Sequence, residues 1–429
     1  MKKESVTLRI ILIVAIIIIL LIPLFMIQSL INERQSYRDD AVREVSKSWA
    51  AAQTIGGPIL TLVEKKENID KEGNKFYTYN RYHYLPDTLN YNVEVIPEKR
   101  RKGIYELLLY TAKINISGTI NTDTINEKFS NHQFDQSFLS VNVSDLKGIQ
   151  NDPQLKINNS TFSLLPGLKN KDVYQNGLFA DIKLNEETNK FDFNLELHLN
   201  GIDDLSFLPI GKSTVVKVKS DWNNPSFSGA FLPVTREINE AGFSANWKVN
   251  HFNRSFPQNW EGNSENIFQS AFGVKFLIPV DEYQKTMRSS KYGLMIIVLT
   301  FLSFFMIELF GKRAIHPIQY LLIGLALVIF YSLLLAISEY LSFDLSYLIA
   351  SLLVIVLITL YVKSVYKSLK ISGIIFIALT TFYGFMYTIL LLQDYSLLIG
   401  NIALFILLAS VMFITRKLNW FGVLQKQTS

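Results

Sequence analysis

The sequence predicts a multi-pass α-helical membrane protein. One transmembrane helix leads into a large β-rich extracytoplasmic domain of β-sandwich-like form, and five more transmembrane helices follow. Three observations point there. Apolar runs occupy residues 10–31 and then 292–309, 318–338, 345–362, 371–393 and 397–415, and Glu308, near one end of its run, is the sole charge within them. About 260 residues of ordinary polar sequence separate the first run from the second, and period-two alternation recurs within them. Lys and Arg are distributed unevenly among the short connections.

The first run is 22 residues long and uncharged; at 1.5 Å per residue it reaches about 33 Å, enough for a hydrocarbon core of roughly 30 Å. A cleaved signal peptide would have a shorter apolar core and a small-x-small site after it. Gln28-Ser29-Leu30 offers no such site, so an uncleaved signal anchor is expected. Residues 32–52 read as a helix continuing out of the membrane, with Ala41, Val42, Val45, Trp49 and Ala52 at helical spacing and Gly56-Gly57-Pro58 as its stop. It packs against the domain it introduces or forms a dimer stalk.

Past Pro58 the period changes. Phe191, Phe193, Leu195, Leu197 and Leu199 alternate with polar residues, as do Phe243, Ala245, Trp247 and Val249, and Ala112, Ile114 and Ile116. These are half-buried antiparallel strands with one wet face, and several of them suggest a sandwich. With no cysteine in the chain, this domain must be held by its core, not by disulfides. It is large enough to fold without the membrane part.

With the N-terminus inside, the cytoplasmic segments hold Lys2, Lys3, Arg9, Lys312, Arg313, Lys363, Lys367, Lys370, Arg416, Lys417 and Lys426, while the short outer loops hold Glu339, Asp344 and Asp394 and no base. This positive-inside pattern puts both termini in the cytoplasm and the large domain outside. The divisions are an anchor at 1–32, an extracytoplasmic domain at 33–291, a bundle at 292–415 and a cytoplasmic tail at 416–429. The net charge of +5 comes from the cytoplasmic edges, facing anionic headgroups, and excludes nothing but nucleic acid as a partner.

The sequence carries little sign of chemistry. Gly211-Lys212-Ser213-Thr214 resembles the end of a phosphate loop, but Ser206 stands where a glycine is needed and residues 215–219 read as strand. His83, His132, His198, His251 and His316 lack metal-ligand spacing, and Ser226 and Ser228 have no base nearby in sequence. No catalytic, cofactor or metal residue is assigned. Glu308 lies four residues before Lys312, an expected helix pair, and with Glu339 and Asp394 it sits near a boundary where water solvates a carboxylate. Loss of these acids is expected to cost little. Thr380, Gly384 and Thr388 form a small-residue stripe for helix packing, and Tyr340, Tyr347, Tyr361 and Trp420 fit an interfacial belt.

Several segments resemble the CreD family of bacterial inner-membrane proteins. They are Gly103-Ile104-Tyr105, residues 109–112, Pro225-Ser226-Phe227-Ser228-Gly229 through Pro233, residues 242–247, residues 254–258, Pro279-Val280-Asp281 with Tyr283-Gln284, Arg288 with Lys291-Tyr292, residues 316–322, Ser338-Glu339 and Asp394-Tyr395. Relatives often read Glu-His where this chain has Glu339-Tyr340, so a role for that histidine does not transfer. The resemblance implies a part in envelope integrity and stress tolerance, with no catalytic residues. The expected function is a non-enzymatic interaction or sensing module acting with the lipid bilayer and an envelope protein or component. The alternatives are a transporter using the bundle and an envelope hydrolase with a site in the outer domain.

Overall fold

The apolar runs fold as helices, and the first is much longer than its run. In this computed structural model, which describes residues 6–121, 134–183, 190–277, 282–311 and 315–391 with scattered positions between 398 and 416, α1 spans Val6–Ser48. The others are α2 (Glu282–Lys291), α3 (Gly293–Gly311), α4 (Pro317–Ser338), α5 (Phe343–Tyr366) and α6 (Leu369–Leu391). Four of them, α1, α4, α5 and α6, are long and apolar enough to cross a membrane, and α2 with α3 makes a fifth span if the 42° bend between them lies within one crossing. The sixth run, Asp394 and Trp420 fall almost wholly outside the described residues. The chain divides into two units, one of Met1–Arg38 with Val280–Ser429 and one of Asp39–Pro279.

In the helical unit, Leu20 of α1, Phe301 and Phe304 of α3, Leu327 and Phe330 of α4, Ala350 of α5 and Leu379 of α6 share one apolar core. Gly324 lets α4 approach α1, since a Cβ there would lie 2.1 Å from Leu20 Cδ1. His316 starts α4: its Nδ1 accepts from the Ile318 amide, and Gln319 Oε1 accepts from its own amide. With Pro317 at the first helical position, this capping box satisfies amides that have no intrahelical partner.

Two packing expectations are corrected. Thr380, Gly384 and Thr388 are all exposed on α6, and a Cβ at Gly384 would meet nothing within 4 Å among the described residues. Helix α6 turns Ile375, Leu379, Tyr383 and Met386 inward instead, because these larger side chains bury more surface. Tyr347 is not interfacial. It is buried, and its hydroxyl donates to the Tyr383 carbonyl at 2.8 Å.

The β unit is a sandwich of two sheets around one core. The first sheet runs in the order Pro225–Gly229, Phe272–Phe276, Asp204–Phe207, Gln53–Ile69, Gln136–Val143, Gly177–Asp181 and Leu165–Pro166, with Lys75–Tyr84 also paired to Gln53–Ile69 and in turn to Asn259–Glu261. The second runs Thr235–Asn239, Gly242–Asn250, Ser213–Ser220, Thr88–Lys102, Tyr105–Asn121, Lys190–Ile202, Gln154–Ile157 and Ser160–Ser163. All three alternating segments lie in this second sheet with their apolar sets buried, as read from sequence. Pairing is not wholly antiparallel, however. Gln53–Ile55 runs parallel to Leu205–Phe207, and Thr88–Val95 parallel to Ser213–Ser220, because each later strand enters its sheet beside a much earlier one running the same way.

Aromatic rings tie the two sheets together. Trp247 packs between Phe227 and Phe272, with centroids at 5.6 and 5.7 Å, and its indole N–H donates to the Phe231 carbonyl at 3.2 Å. Tyr91 crosses to Phe207 at 5.3 Å, while its hydroxyl accepts from the Gly57 amide and donates to the Leu208 carbonyl. Gly56-Gly57-Pro58 is therefore not the stop of α1, which ends at Ser48. The two glycines sit within the strand Gln53–Ile69, where the pairing register shifts. They admit the Tyr174 ring and Leu89, which a Cβ would meet at 2.6 and 2.7 Å.

Candidate functional site

The most buried ion pair described in the helical unit centres on Glu308. This carboxylate is buried on α3 and ion-paired with Arg9 of α1. It also accepts from the Ile315 amide at 3.3 Å and from the Tyr320 hydroxyl at 3.2 Å. The Tyr320 ring is held edge-on by Phe301 at 5.3 Å and Phe304 at 6.3 Å, and a small crevice beside the pair is lined by Leu12, Ile13, Ile16 and Pro317. The expectation of a solvated Glu308 paired to Lys312 is thereby corrected. Lys312 lies outside the described residues, and helix packing brings Arg9 to the acid from 299 positions away. In a low-dielectric bundle a carboxylate is tolerated when a cation and two donors satisfy it.

A second ion pair on α1 joins Arg34 to Glu339 at 3.5 Å, the acid being 12 % exposed. Arg9 and Arg34 are 25 residues apart, about 37 Å along a helix, which slightly exceeds a bilayer's hydrocarbon thickness. One helix thus carries a cation at each end of its apolar stretch, each fixed to an acid of the α3–α5 region.

Within the β unit the last turns of α1 are also fastened. Glu44 pairs with Lys102, Lys147 Nζ donates to the Lys47 carbonyl, and the Arg100 guanidinium lies 4.4 Å from the Trp49 ring centroid. Just beyond, Asp145 accepts from the Ala51 amide at 3.0 Å, and the buried Gln53 side chain donates to the carbonyls of Asp145 and Asn200. The chain passes from helix to first strand without a loose linker.

A further polar group, unmarked in sequence, is fully buried in the β unit. His83 is 0 % exposed, with Nδ1 3.0 Å from the Thr61 hydroxyl and Nε2 3.6 Å from the Asp172 carboxylate. Arg81 donates to the same carboxylate at 3.3 Å, and Trp260 covers the ring at 5.6 Å between centroids. The contacts favour a proton on Nε2 facing the acid, with the Thr61 hydroxyl donating to Nδ1. The set resembles a nucleophile relay in composition. Thr61, however, is only 2 % exposed, so its hydroxyl is closed to a substrate and the set reads as core structure.

Burial pushes His83 down from 6.5 to about 4, with Asp172 opposing the shift. The unfolded chain then binds this proton more readily, so stability is full above pH 6.5 and is lost as pH falls towards 4. At 1.36 kcal/mol per pKa unit the loss is on the order of 3 kcal/mol. The unfolding midpoint of the full-length protein should drop between pH 7 and 4.5, and His83→Asn, which keeps a partner for Thr61, should flatten that drop. An identical pH profile in the variant would remove His83 as the cause.

The remaining sequence candidates are dispersed. Gly211 is a buried turn whose amide donates to the Thr214 hydroxyl, and Ser213–Ser220 is a strand, so no phosphate loop forms. His198 lies at the surface beside Glu196 at 3.0 Å, and His251 stacks on Phe252. His132 is outside the described residues. Ser226 and Ser228 lie in the edge strand Pro225–Gly229. Among the described residues no three His, Asp or Glu side chains converge to hold a metal. In the bundle, the buried hydroxyls of Tyr331 and Tyr383 have no hydrogen-bond partner among the described residues.

This layout of a long anchor helix, a two-sheet β unit and an apolar bundle can be set beside known proteins. A family model described as "Inner membrane protein CreD" matches residues 5–421. The chain belongs to the CreD family. It is 31 % identical over 415 residues to the protein named inner membrane protein CreD of Escherichia coli (strain K12), covering 95 % of this chain and 92 % of the relative. Membership in the CreD family and the apolar helices make this an inner-membrane protein. The match covers both units, so the Arg9–Glu308 and Thr61–His83–Asp172 clusters both lie within CreD-family sequence.

Proposed function

We propose that the protein supports envelope integrity as a non-enzymatic coupling module, in which α1 transmits the state of the β unit to the far end of the helical unit. The observation that carries this reading is the single helix Val6–Ser48, which continues past Pro23 from one unit into the other. It is pinned by Arg9–Glu308 and Arg34–Glu339 in one unit and by Glu44–Lys102 in the other. The buried ion pair gives the helix's inner end a discrete seat in the helical unit. The positive-inside pattern supports both termini in the cytoplasm and the β unit outside.

A transporter is the second reading, favoured by the α2–α3 bend and by the unpaired Tyr331 and Tyr383 hydroxyls in the bundle. The two readings separate at Ser36, an exposed position of α1 between its fastenings. Ser36→Pro breaks the helix at a local cost of about 3 kcal/mol and leaves both ends intact. The variant should accumulate normally in the membrane yet fail to restore envelope-stress tolerance to a deletion strain. Single cysteines at positions 160 and 342, but not 364, should react with an impermeant reagent in the same cells. Full rescue by Ser36→Pro would discard coupling through α1.

A further inference from the structure

Helix α2 is short, amphipathic and basic. Its buried face is Thr286, Ser289 and Ser290, all at most 1 % exposed. Lys285, Arg288 and Lys291 follow one another at three-residue spacing along another stripe, with Lys291 exposed and the other two half-buried. Residues three apart on a helix are neighbours, so the three cations form one ridge. Among the described residues, Arg288 and Lys291 have no carboxylate partner, and Lys285 lies 5.3 Å from the Phe343 ring centroid. Two described acids of this region are engaged, Glu339 by Arg34 and Asp344 by the Tyr387 hydroxyl, and Asp281 lies outside the described residues. Glu282 opens α2, with its side chain outside the described residues.

The depth of this ridge follows from its contacts. Gln28 of α1 donates to the Ser290 carbonyl at 3.4 Å, and Gln28 is six residues, or about 9 Å, short of Arg34. From Ser290, α2 runs back through five residues, about 7 Å, to Lys285, which reaches Phe343, the first residue of α5. Lys285 and Arg288 therefore lie between the level of Gln28 and the level of the Arg34–Glu339 pair, and Lys291, one residue past Ser290, lies about level with Gln28. This is where the apolar stretch of α1 ends and where headgroup phosphates lie. Cations with no carboxylate partner among the described residues at that depth, on stems that can rest along apolar helix surface, seek an anion.

We infer that Lys285, Arg288 and Lys291 form a site for the phosphate of an acidic glycerophospholipid, which packs against α2 where α2 bends away from α3. The lipid neutralises the ridge, and its acyl chains lie beside α3. In the orientation proposed above, which the chemistry of the site does not require, this is the outer leaflet.

Native mass spectrometry of the full-length protein, released from vesicles of phosphatidylethanolamine with or without phosphatidylglycerol, tests the assignment. The wild type should retain phosphatidylglycerol. Lys285→Gln/Arg288→Gln/Lys291→Gln should bind it about a hundredfold more weakly, at about fivefold per cation lost. The single exposed change Lys291→Gln should weaken it about fivefold, and it guards against a misfolded triple variant. Lys217→Gln/Lys219→Gln/Lys248→Gln, which removes equal charge from the β unit, should bind as the wild type does. Unchanged phosphatidylglycerol binding in the α2 variants overturns the site, as does an equal loss in the β-unit variant. Displacement of the lipid by millimolar inorganic phosphate, held by the same residues, would reassign the site to a free anion and also overturn the lipid proposal.

Discussion

Trp247→Asp should unfold the β unit, at a cost of at least about 5 kcal/mol, whereas Lys248→Asp should change stability by about half a kcal/mol. Trp247 is fully buried between Phe227 and Phe272 of the facing sheet. Aspartate there removes the largest ring in the core and leaves the Phe231 carbonyl without its indole donor. It also places a charge with no partner where water does not reach. Lys248 is the next residue and is exposed on the outer face of the same strand. Limited proteolysis and thermal unfolding of the two full-length variants should differ sharply. Equal resistance would mean that the strand's inward and outward faces have been assigned wrongly.

Glu308→Ala comes next in expected effect. Removing one member of a buried ion pair strands the other, typically at 3–5 kcal/mol. Arg9 keeps about a quarter of its side chain exposed and can recover some hydration, so about 3 kcal/mol is expected. The Tyr320 hydroxyl and Ile315 amide would lose their acceptor as well. Arg9→Gln/Glu308→Gln should be markedly more stable than Glu308→Ala, because no lone charge remains. The readouts are membrane accumulation and the temperature at which detergent-solubilised protein aggregates. A Glu308→Ala protein as heat-resistant as the wild type would show that the pair does not hold α1, and a double variant no better than the single would show that stranded charge is not the reason.

That expectation reverses the one drawn from sequence, and the reason is general to this chain. Period-two alternation exposed the inward faces of Phe191–Leu199 and Phe243–Val249, because a strand's environment is written in its own neighbours. The apolar runs were legible for the same reason. Arg9–Glu308 is not local, since it joins residues 299 apart, and an acid near the end of an apolar run reads as solvated until its cation is known. His83 gave no signal because Tyr82 and Tyr84 flank it and Trp260 arrives from a strand far along the chain. Gly56-Gly57 misled in the opposite sense. Glycine marks a turn more often than a strand into which a tyrosine must fit, and here Tyr174 supplies the ring.

The place of the strand Gln53–Ile69 bears on how the molecule is made. It follows the anchor helix directly, yet it needs Asp204–Phe207 beside it, and that strand needs Phe272–Phe276. At about 5–20 residues per second of synthesis, roughly 220 residues must emerge over about 10–45 s before the first sheet can close. Throughout that interval the nascent segment presents open strand edges. A chain already held by α1 waits at the membrane, tethered near its point of emergence, where encounters with other unfinished chains are fewer than in free solution. The anchor is thus made before the strands and serves the last contact formed.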